Sequence, residues 1–301
     1  MFTIKNTTMD KLRSIEQIIQ PPPAHMVGDG FRVHNFFPGN GLMSLQRMSP
    51  FFLLDYGAKV EYPPTDTPRG VGVHPHRGFE TVTISYHGRV AHHDSTGKSG
   101  VIGEGDVQWM TAASGVLHKE YHEKEWSQKG GLMQMVQLWV NLPAKHKMDA
   151  PGYQPIRRGD YGLVSLPDNQ GTVEVIAGSY KGVSGPAHSF TPVEMYNARL
   201  NKGADVLFSF PQHYNTAFLV IEGSVLVNDD PVPTDFFVLF ANDGQEIRLE
   251  TPDESAVVLI LSGEPINEPI VPYGPFVMNT KQEIIQAYED FNNGKFGQLE
   301  D

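Results

Sequence analysis

Residues 72–86 read Gly-Val-His-Pro-His-Arg-Gly-Phe-Glu-Thr-Val-Thr-Ile-Ser-Tyr, a His-Pro-His motif followed by a short β-branched and aromatic run. Similar runs recur along the chain between clusters of Gly, Pro, Asn and Asp. They are Met133 to Leu142, Phe218 to Ile221, Phe236 to Phe240 and Val257 to Leu261. Short strands separated by turn residues predict an all-β protein, with barrels or sandwiches favoured, from Phe31 to about Pro265.

Two pairs of side chains in this region suit a metal ion. His74 and His76 are two residues apart, so on an extended strand both imidazoles point to the same face. His118 and Glu120 repeat this spacing after a Gly-rich turn. Three imidazoles and one carboxylate suit Fe(II), Mn, Co, Ni or Zn rather than Ca or Mg, which prefer oxygen ligands throughout. We therefore predict one mononuclear metal site built from His74, His76, His118 and Glu120.

Other side chains compete for roles in this site. Glu80 lies an even number of residues from His74 and His76, so on one continuous strand it would share their face. It is therefore a rival carboxylate ligand or a partner that orients an imidazole. His122 is a weaker rival. His92 and His93 precede a turn and are expected in an exposed loop, while Trp109 and Met110 are expected in the barrel core.

Composition excludes several classes of protein. The 301 residues carry a net charge of −12 and no cluster of Lys and Arg, which disfavours direct binding to nucleic acid. The absence of Cys excludes disulfides, thiolate ligands and Cys nucleophiles. No signal-peptide core or run of apolar residues long enough to span a bilayer is present, so we expect no membrane association and a cytoplasmic location.

Two helices are predicted outside the β-rich region. Residues 9–19 are compatible with a short helix that ends before three consecutive prolines. Near the C-terminus, Thr280 and Glu283 fit a capping box, and an apolar face follows, which predicts a helix over residues 280–292.

A weak internal repeat indicates a duplicated β-domain. Residues 86–90 align with residues 221–225, and residues 106–115 align with residues 235–244. We predict an N-terminal barrel over residues 1–147 and a C-terminal barrel over residues 148–301. The repeat places no metal ligand in the second barrel, which we expect to be metal-free, since the positions equivalent to the four ligands are Ser209, Pro211, Ile247 and Leu249. His213 lies nearby and is expected to be structural.

Longer strings around these motifs resemble the cupin superfamily and, within it, the pirin family of bicupins. They comprise residues 74–82, 105–112, 115–120, 137–142 and 274–280, and the resemblance runs from about Gly30 to the C-terminus. The chain departs from the general cupin pattern at Thr111 and His122, and its His118-x-Glu120 pair is similar to that of pirins. The resemblance implies two cupin barrels with an iron-type site in the first.

The resemblance also implies a function. Bacterial members are described as quercetin 2,3-dioxygenases, which implies an enzyme that cleaves enolisable aromatic, flavonol-like substrates with O2. For such a reaction our hypothesis is that Glu120 acts as general base. Animal members are described as transcriptional cofactors with protein partners, so a non-catalytic, metal- or redox-dependent interaction module is the alternative. Another cupin chemistry, such as isomerisation or decarboxylation, is a third hypothesis.

Overall fold

A computed structural model describes residues 12–39, 41 and 43–300 of the chain. The first part of the described chain contains twelve strands, one short α-helix, α1, at Lys124–Lys129, and a single 3-10 turn at Ala144–His146. These strands are β1 Ile15–Ile19, β2 His25–Val27, β3 Phe31–Phe37, β4 Phe51–Tyr62, β5 Gly70–His76, β6 Phe79–His87, β7 Val90–Asp94, β8 Ser99–Ile102, β9 Val107–Thr111, β10 Val116–His122, β11 Gly131–Asn141 and β12 Gly152–Ile156.

The second part of the described chain contains fourteen strands and the C-terminal helix α2 at Lys281–Asn292. These strands are β13 Gly162–Ser165, β14 Gly171–Ala177, β15 Ser179–Tyr180, β16 Val183–Ser184, β17 Val193–Leu200, β18 Asp205–Ser209, β19 Asn215–Glu222, β20 Val225–Val227, β21 Asp230–Val232, β22 Phe237–Phe240, β23 Glu246–Glu250, β24 Ala256–Gly263, β25 Val271–Tyr273 and β26 Phe276–Met278.

The strands form two cupin barrels, each made of a seven-stranded and a four-stranded sheet. In the first barrel the orders are β12-β9-β6-β11-β4-β3-β2 and β5-β10-β7-β8. In the second they are β1-β22-β19-β24-β17-β14-β13 and β18-β23-β20-β21. The fold is therefore the all-β, two-barrel architecture expected from the sequence.

The two seven-stranded sheets pack against each other through a large apolar core that draws on both barrels. On β6, Val82 and Ile84 belong to this core, whereas the intervening Thr83 points into the first barrel and reaches Glu120. On β19, Leu219 belongs to the shared core and Phe218 to the interior of the second barrel. Because strand side chains alternate between faces, each of these central strands contributes side chains both to the shared core and to the interior of its own barrel.

The expected N-terminal helix is wrong where the structure describes it. Residues 15–19 form strand β1, which pairs antiparallel with β22 at the edge of the second barrel's large sheet. Residues 9–11 lie outside the described residues. The strand prevails because pairing with β22 satisfies the backbone and seats the buried Ile19 in the shared core, which outweighs a weak local helix preference.

The C-terminal helix is confirmed, together with its capping box between Thr280 and Glu283. Its buried face, with Ile284 and Ala287, packs on strands β25 and β26. On the same helix Asp290 forms an ion pair with Arg77, at 2.9 Å between Oδ2 and Nη1, and both side chains are buried. Helix α2 is thereby anchored to the residue that follows His76 in the first barrel.

Each predicted domain contributes a strand to the other barrel, across the predicted boundary between residues 147 and 148. Strand β12 pairs with β9 in the first barrel, and strand β1 pairs with β22 in the second. The boundary itself stays a prediction. No helix in the part of the chain that the structure describes is long and apolar enough to cross a membrane.

Candidate metal centre

The predicted ligands lie on strands β5 and β10, which are hydrogen-bonded neighbours. His118 is directly opposite His74 in the antiparallel register, and Val116 is opposite His76. A register shift follows between His118 and Glu120. Strand pairing therefore brings together two motifs that are more than forty residues apart in the chain.

The three imidazoles form one cluster. The ring centroids are 4.3 Å apart for His74 and His118, 4.8 Å for His76 and His118, and 4.8 Å for His74 and His76. One ring nitrogen from each residue lies within 4.8 Å of the other two. His76 and His118 are buried, and His74 is half-buried.

Hydrogen bonds at Nδ1 leave the Nε2 atoms of this cluster free. Nδ1 of His74 lies 2.8 Å from the carbonyl oxygen of Gly72, and Nδ1 of His76 lies 3.3 Å from that of Pro275. A carbonyl only accepts, so each Nδ1 carries the proton and each Nε2 keeps its lone pair. Nε2 of His118 is buried without a hydrogen-bond partner. This arrangement fits a bound cation, because metal-ligating imidazoles donate their other N–H to an oriented acceptor.

The two buried imidazoles, His76 and His118, favour the neutral form that a metal requires. Burial lowers the pKa of His76 and of His118 well below the ordinary value, and the neighbouring imidazoles add to the effect. A charged imidazole here would be both desolvated and repelled by its neighbours. His76 and His118 therefore each keep a ring nitrogen lone pair that a cation can use.

Glu120 takes a different place from the three imidazoles. A carboxylate oxygen of Glu120 lies within 4.8 Å of a ring nitrogen of His118 and of a ring nitrogen of His92. Among the described residues, no such close set of ligand atoms contains all four predicted ligands. Gln137 donates to Oε2 at 2.7 Å, while Oε1 accepts from Thr83 at 3.2 Å and, in a shorter contact, from Gln108. Three side-chain donors therefore hold this buried carboxylate beside the cluster.

The two rival ligands face elsewhere. Gly78, with a φ of +91°, separates β5 from β6. His76 and Glu80 therefore do not lie on one continuous strand, and their even spacing does not place them on the same face. Glu80 consequently accepts a hydrogen bond from Thr111 at 2.7 Å, on the face of β6 that packs toward the second barrel. Burial raises its pKa to about 7 despite that hydrogen bond. Nε2 of His122 lies 2.8 Å from the carbonyl oxygen of Gly30, away from the cluster.

The interpretation of His92 and His93 as an exposed loop is wrong. Both lie on β7, and His92 is fully buried next to β10. Its Nδ1 lies 3.4 Å from Nδ1 of His118, and its Nε2 lies 3.1 Å from Oδ2 of Asp94. The sequence contained a usable signal, because His92 and Asp94 have the same two-residue spacing as the ligand pairs.

A cavity of about 180 Å³ opens onto His74, His76 and Glu120. Its remaining walls combine apolar side chains with two polar ones, and they are Val27, Phe31, Val33, Val71, Met135, Trp139, Asp55 and Gln137. Sequence reasoning missed Asp55, which stands in an apolar stretch of β4. Burial raises the pKa of this carboxyl, against a hydrogen bond from Asn35 at 2.8 Å.

Trp109 and Met110 are both buried as expected, Trp109 in the shared core and Met110 in a smaller cluster. In the second barrel, Ile247 and Leu249 are buried in an apolar interior. Ser209, Pro211 and His213 are exposed. The expectation that this barrel binds no metal stays a prediction.

Comparison with known proteins agrees with this architecture. Residues 30–140 match the family described as "Pirin", and residues 195–297 match the "Pirin C-terminal cupin domain". The chain is 48% identical over 272 residues to "Putative quercetin 2,3-dioxygenase PA2418" of Pseudomonas aeruginosa, covering 90% of this chain and 94% of that protein. A "Pirin-like protein" of Caulobacter vibrioides is 38% identical, with 95% and 99% covered. The crystal structure titled quercetin 2,3-dioxygenase from Acinetobacter baumannii is 45% identical, with a TM-score of 0.90, and covers 96% of this chain and all of that one.

Proposed function

This chain belongs to the pirin family, and on that premise we propose that it is a metal-dependent dioxygenase that cleaves flavonol-like substrates with O2. The observation that carries the proposal is the cluster of three imidazoles, which lies beside a carboxylate and a mainly apolar cavity and includes a buried, unpartnered Nε2 on His118. The names of two close relatives, which mention quercetin 2,3-dioxygenase, supply the substrate class.

The ligands that we propose are His74, His76, His118 and Glu120, and the ion is Fe(II), with Mn, Co, Ni or Zn compatible with the same donors. When bound, such an ion supplies a Lewis acid that lowers the pKa of a coordinated hydroxyl group. Of the three imidazoles, the one that Glu120 already approaches is His118, with a carboxylate oxygen within 4.8 Å of a ring nitrogen.

The cavity suits one aromatic ring of the substrate. Phe31 and Trp139 supply apolar walls, while Asp55 and Gln137 offer hydrogen-bonding groups that can fix the orientation of a hydroxylated ring. At about 180 Å³ the cavity is smaller than most sites for drug-sized ligands, which measure about 300–1,000 Å³. A flavonol would therefore place its reacting ring inside and its remaining ring toward the mouth.

Glu120 is the residue that we propose to accept the proton of the substrate hydroxyl. Gln108, Gln137 and Thr83 all donate to its carboxylate, and this fixes its position next to His118. A base must lie within hydrogen-bond reach of the proton that it removes, and the cavity gives the substrate access to this carboxylate.

The test is turnover of quercetin by purified protein reconstituted separately with Fe(II), Mn, Co and Ni. We expect loss of quercetin, uptake of O2 and release of carbon monoxide with at least one metal. The metal-free protein and His118→Ala should be inactive. No turnover with any of the four metals would contradict the proposal.

Glu120→Gln separates the enzyme from its alternatives. Lost turnover with metal retained favours the enzyme, whereas a metal-dependent protein-interaction module would keep its metal and show no turnover in the wild-type protein either. A screen of enolisable acids tests the remaining alternative, which is isomerisation or decarboxylation at the same site.

A further inference from the structure

Behind His118, on the side away from His74 and His76, lies a buried pair that the proposed chemistry does not use. His92 and Asp94 are on β7, the strand that pairs with β10, and Asp94 is directly opposite His118 in the register. The His92 ring stacks on Tyr153 with centroids 4.7 Å apart and an interplanar angle of 11°. Gly100 leaves space for the Tyr153 ring, since a Cβ there would lie 2.3 Å from the phenolic oxygen.

His118 differs from the other imidazoles of the cluster in what its Nδ1 contacts. His74 and His76 face carbonyl oxygens, which fix their tautomers without further help. Nδ1 of His118 instead faces Nδ1 of His92, and a neutral imidazole nitrogen can either donate or accept. The tautomer of His118 therefore depends on the tautomer of His92.

Asp94 resolves this ambiguity. Its Oδ2 accepts from Nε2 of His92, so Nε2 carries the proton and Nδ1 of His92 is left as an acceptor. His118 must then donate from Nδ1, which leaves a lone pair on the buried Nε2 that has no other partner. The other oxygen of Asp94 accepts from the backbone N–H groups of Thr96 and Lys98 and from the Thr96 hydroxyl, which fixes the carboxylate in place.

We propose that Asp94 and His92 are positioning residues, which hold His118 in the tautomer that binds a cation through Nε2. The inference deepens the proposed function and rests on it only for the use of the cluster as a metal site. It assigns to His92 a hydrogen-bonding role and not a ligand role, although His92, His118 and Glu120 also form a close group.

The first test reads the tautomers directly in the wild-type protein and needs no variant. Long-range ¹H–¹⁵N correlation spectra of ¹⁵N-histidine-labelled, metal-free protein should show His118 protonated at Nδ1 and His92 protonated at Nε2. Added Zn²⁺ should shift the Nε2 signal of His118 and leave both His92 nitrogens unligated. An Nε2-protonated His118, or a His92 that ligates Zn²⁺, would overturn the proposal.

The second test is Asp94→Asn. The Asn side chain keeps a carbonyl oxygen for the turn but presents an NH2 group to His92, which forces His92 to donate from Nδ1. His118 must then carry its proton at Nε2, so we expect the affinity for Zn²⁺ to fall about 10- to 100-fold. Unchanged affinity together with an unchanged His118 spectrum would reject the role of Asp94.

Asp106→Asn is the matched control, because Asp106 also uses its carboxylate to hold a turn of the first barrel, between β8 and β9. We expect this variant to keep the affinity for Zn²⁺ and the His118 spectrum of the wild type. Failure of the proposed function would look different: quercetin would not be turned over by any loaded protein, while the tautomer and affinity results would stand.

Discussion

Glu80 is a buried carboxyl group that cannot reach the imidazole cluster. Its Oε1 accepts from Thr111, and its Oε2 is buried without a hydrogen-bond partner. Burial raises its pKa to about 7, from 4.5 for the free side chain. The folded protein therefore binds the Glu80 proton more tightly than the unfolded chain does.

This difference predicts how Glu80 affects stability against pH. For a group whose pKa is raised on folding, the stabilising contribution is complete below the unfolded pKa and is lost as pH rises to the folded pKa. Between pH 4.5 and 7 the wild type should lose about 3 kcal/mol through this group. Glu80→Gln carries no titrating proton, so its free energy of unfolding in urea should fall by about that much less between pH 5 and pH 8. Identical pH profiles for the two proteins would contradict this.

Single residues also show which parts of the site could be read from the sequence. The pairs His74/His76 and His118/Glu120 were identifiable because each pair lies on one face of one strand. His92 shares a two-residue spacing with Asp94, but it was interpreted as part of an exposed loop because a turn follows it. Asp55 and Gln137 were not selected, because their importance depends on neighbours that strand pairing brings from distant parts of the chain. No local spacing encodes the contacts of these two residues.

At the scale of elements, helix α2 is connected to the candidate metal centre through a buried ion pair. Arg77 donates from Nη1 to Asp290 and from Nε to the carbonyl oxygen of Ser114 at 2.6 Å, and its guanidinium lies 4.7 Å from the Phe296 ring. Arg77 follows His76 directly, and Ser114 lies in the turn before β10. The helix therefore stabilises both loops that lead to the candidate ligands.

Removing Asp290 should leave the Arg77 guanidinium buried without its counter-ion. We expect Asp290→Ala to lower the free energy of unfolding by about 3–5 kcal/mol, measured by urea denaturation. The affinity for Zn²⁺ should also fall, because the end of β5, which carries His76, is less well held. Glu289→Ala is the control, since it removes an exposed carboxylate from the same helix. Equal effects of the two substitutions would show that the ion pair has no special role.

Of the two predicted helices, the C-terminal one is confirmed and the N-terminal one is wrong, and the difference has a physical reason. Helix α2 was correctly predicted because a capping box and an amphipathic pattern coincide from Thr280 to Phe291. Residues 15–19 also follow a string, Ser14-x-x-Gln17, that fits a capping box, but their conformation is decided by the free edge of β22, more than two hundred residues away. Strand pairing over such a distance cannot be read from local preferences.

For the whole molecule, the two barrels have different interiors. In the first barrel the inward face carries Thr83, Gln108 and Gln137 around Glu120. The second is filled by side chains such as Phe208, Phe218 and Ile247. The buried Arg13 donates to the carbonyl oxygens of Pro211, Tyr214 and Gly244 at the end of that barrel. One barrel therefore offers a polar site, while the other contributes an apolar core and the sheet against which the first barrel packs.

The core shared by the two large sheets predicts that both barrels unfold together. All three tryptophans, Trp109, Trp126 and Trp139, lie in the first barrel or its adjoining helix, and Trp109 lies in the shared core, so fluorescence reports on the first barrel and on that core. Phe208 is fully buried inside the second barrel, and Phe208→Ala should lower the free energy of unfolding by about 3–5 kcal/mol. We expect the midpoints from tryptophan fluorescence and from circular dichroism to shift equally, because losing the second sheet would expose the shared core.

Leu207→Ala, at an exposed position on the same strand, should shift neither midpoint appreciably. A fluorescence midpoint that stays in place, while circular dichroism shows an earlier separate transition, would mean that the barrels unfold independently.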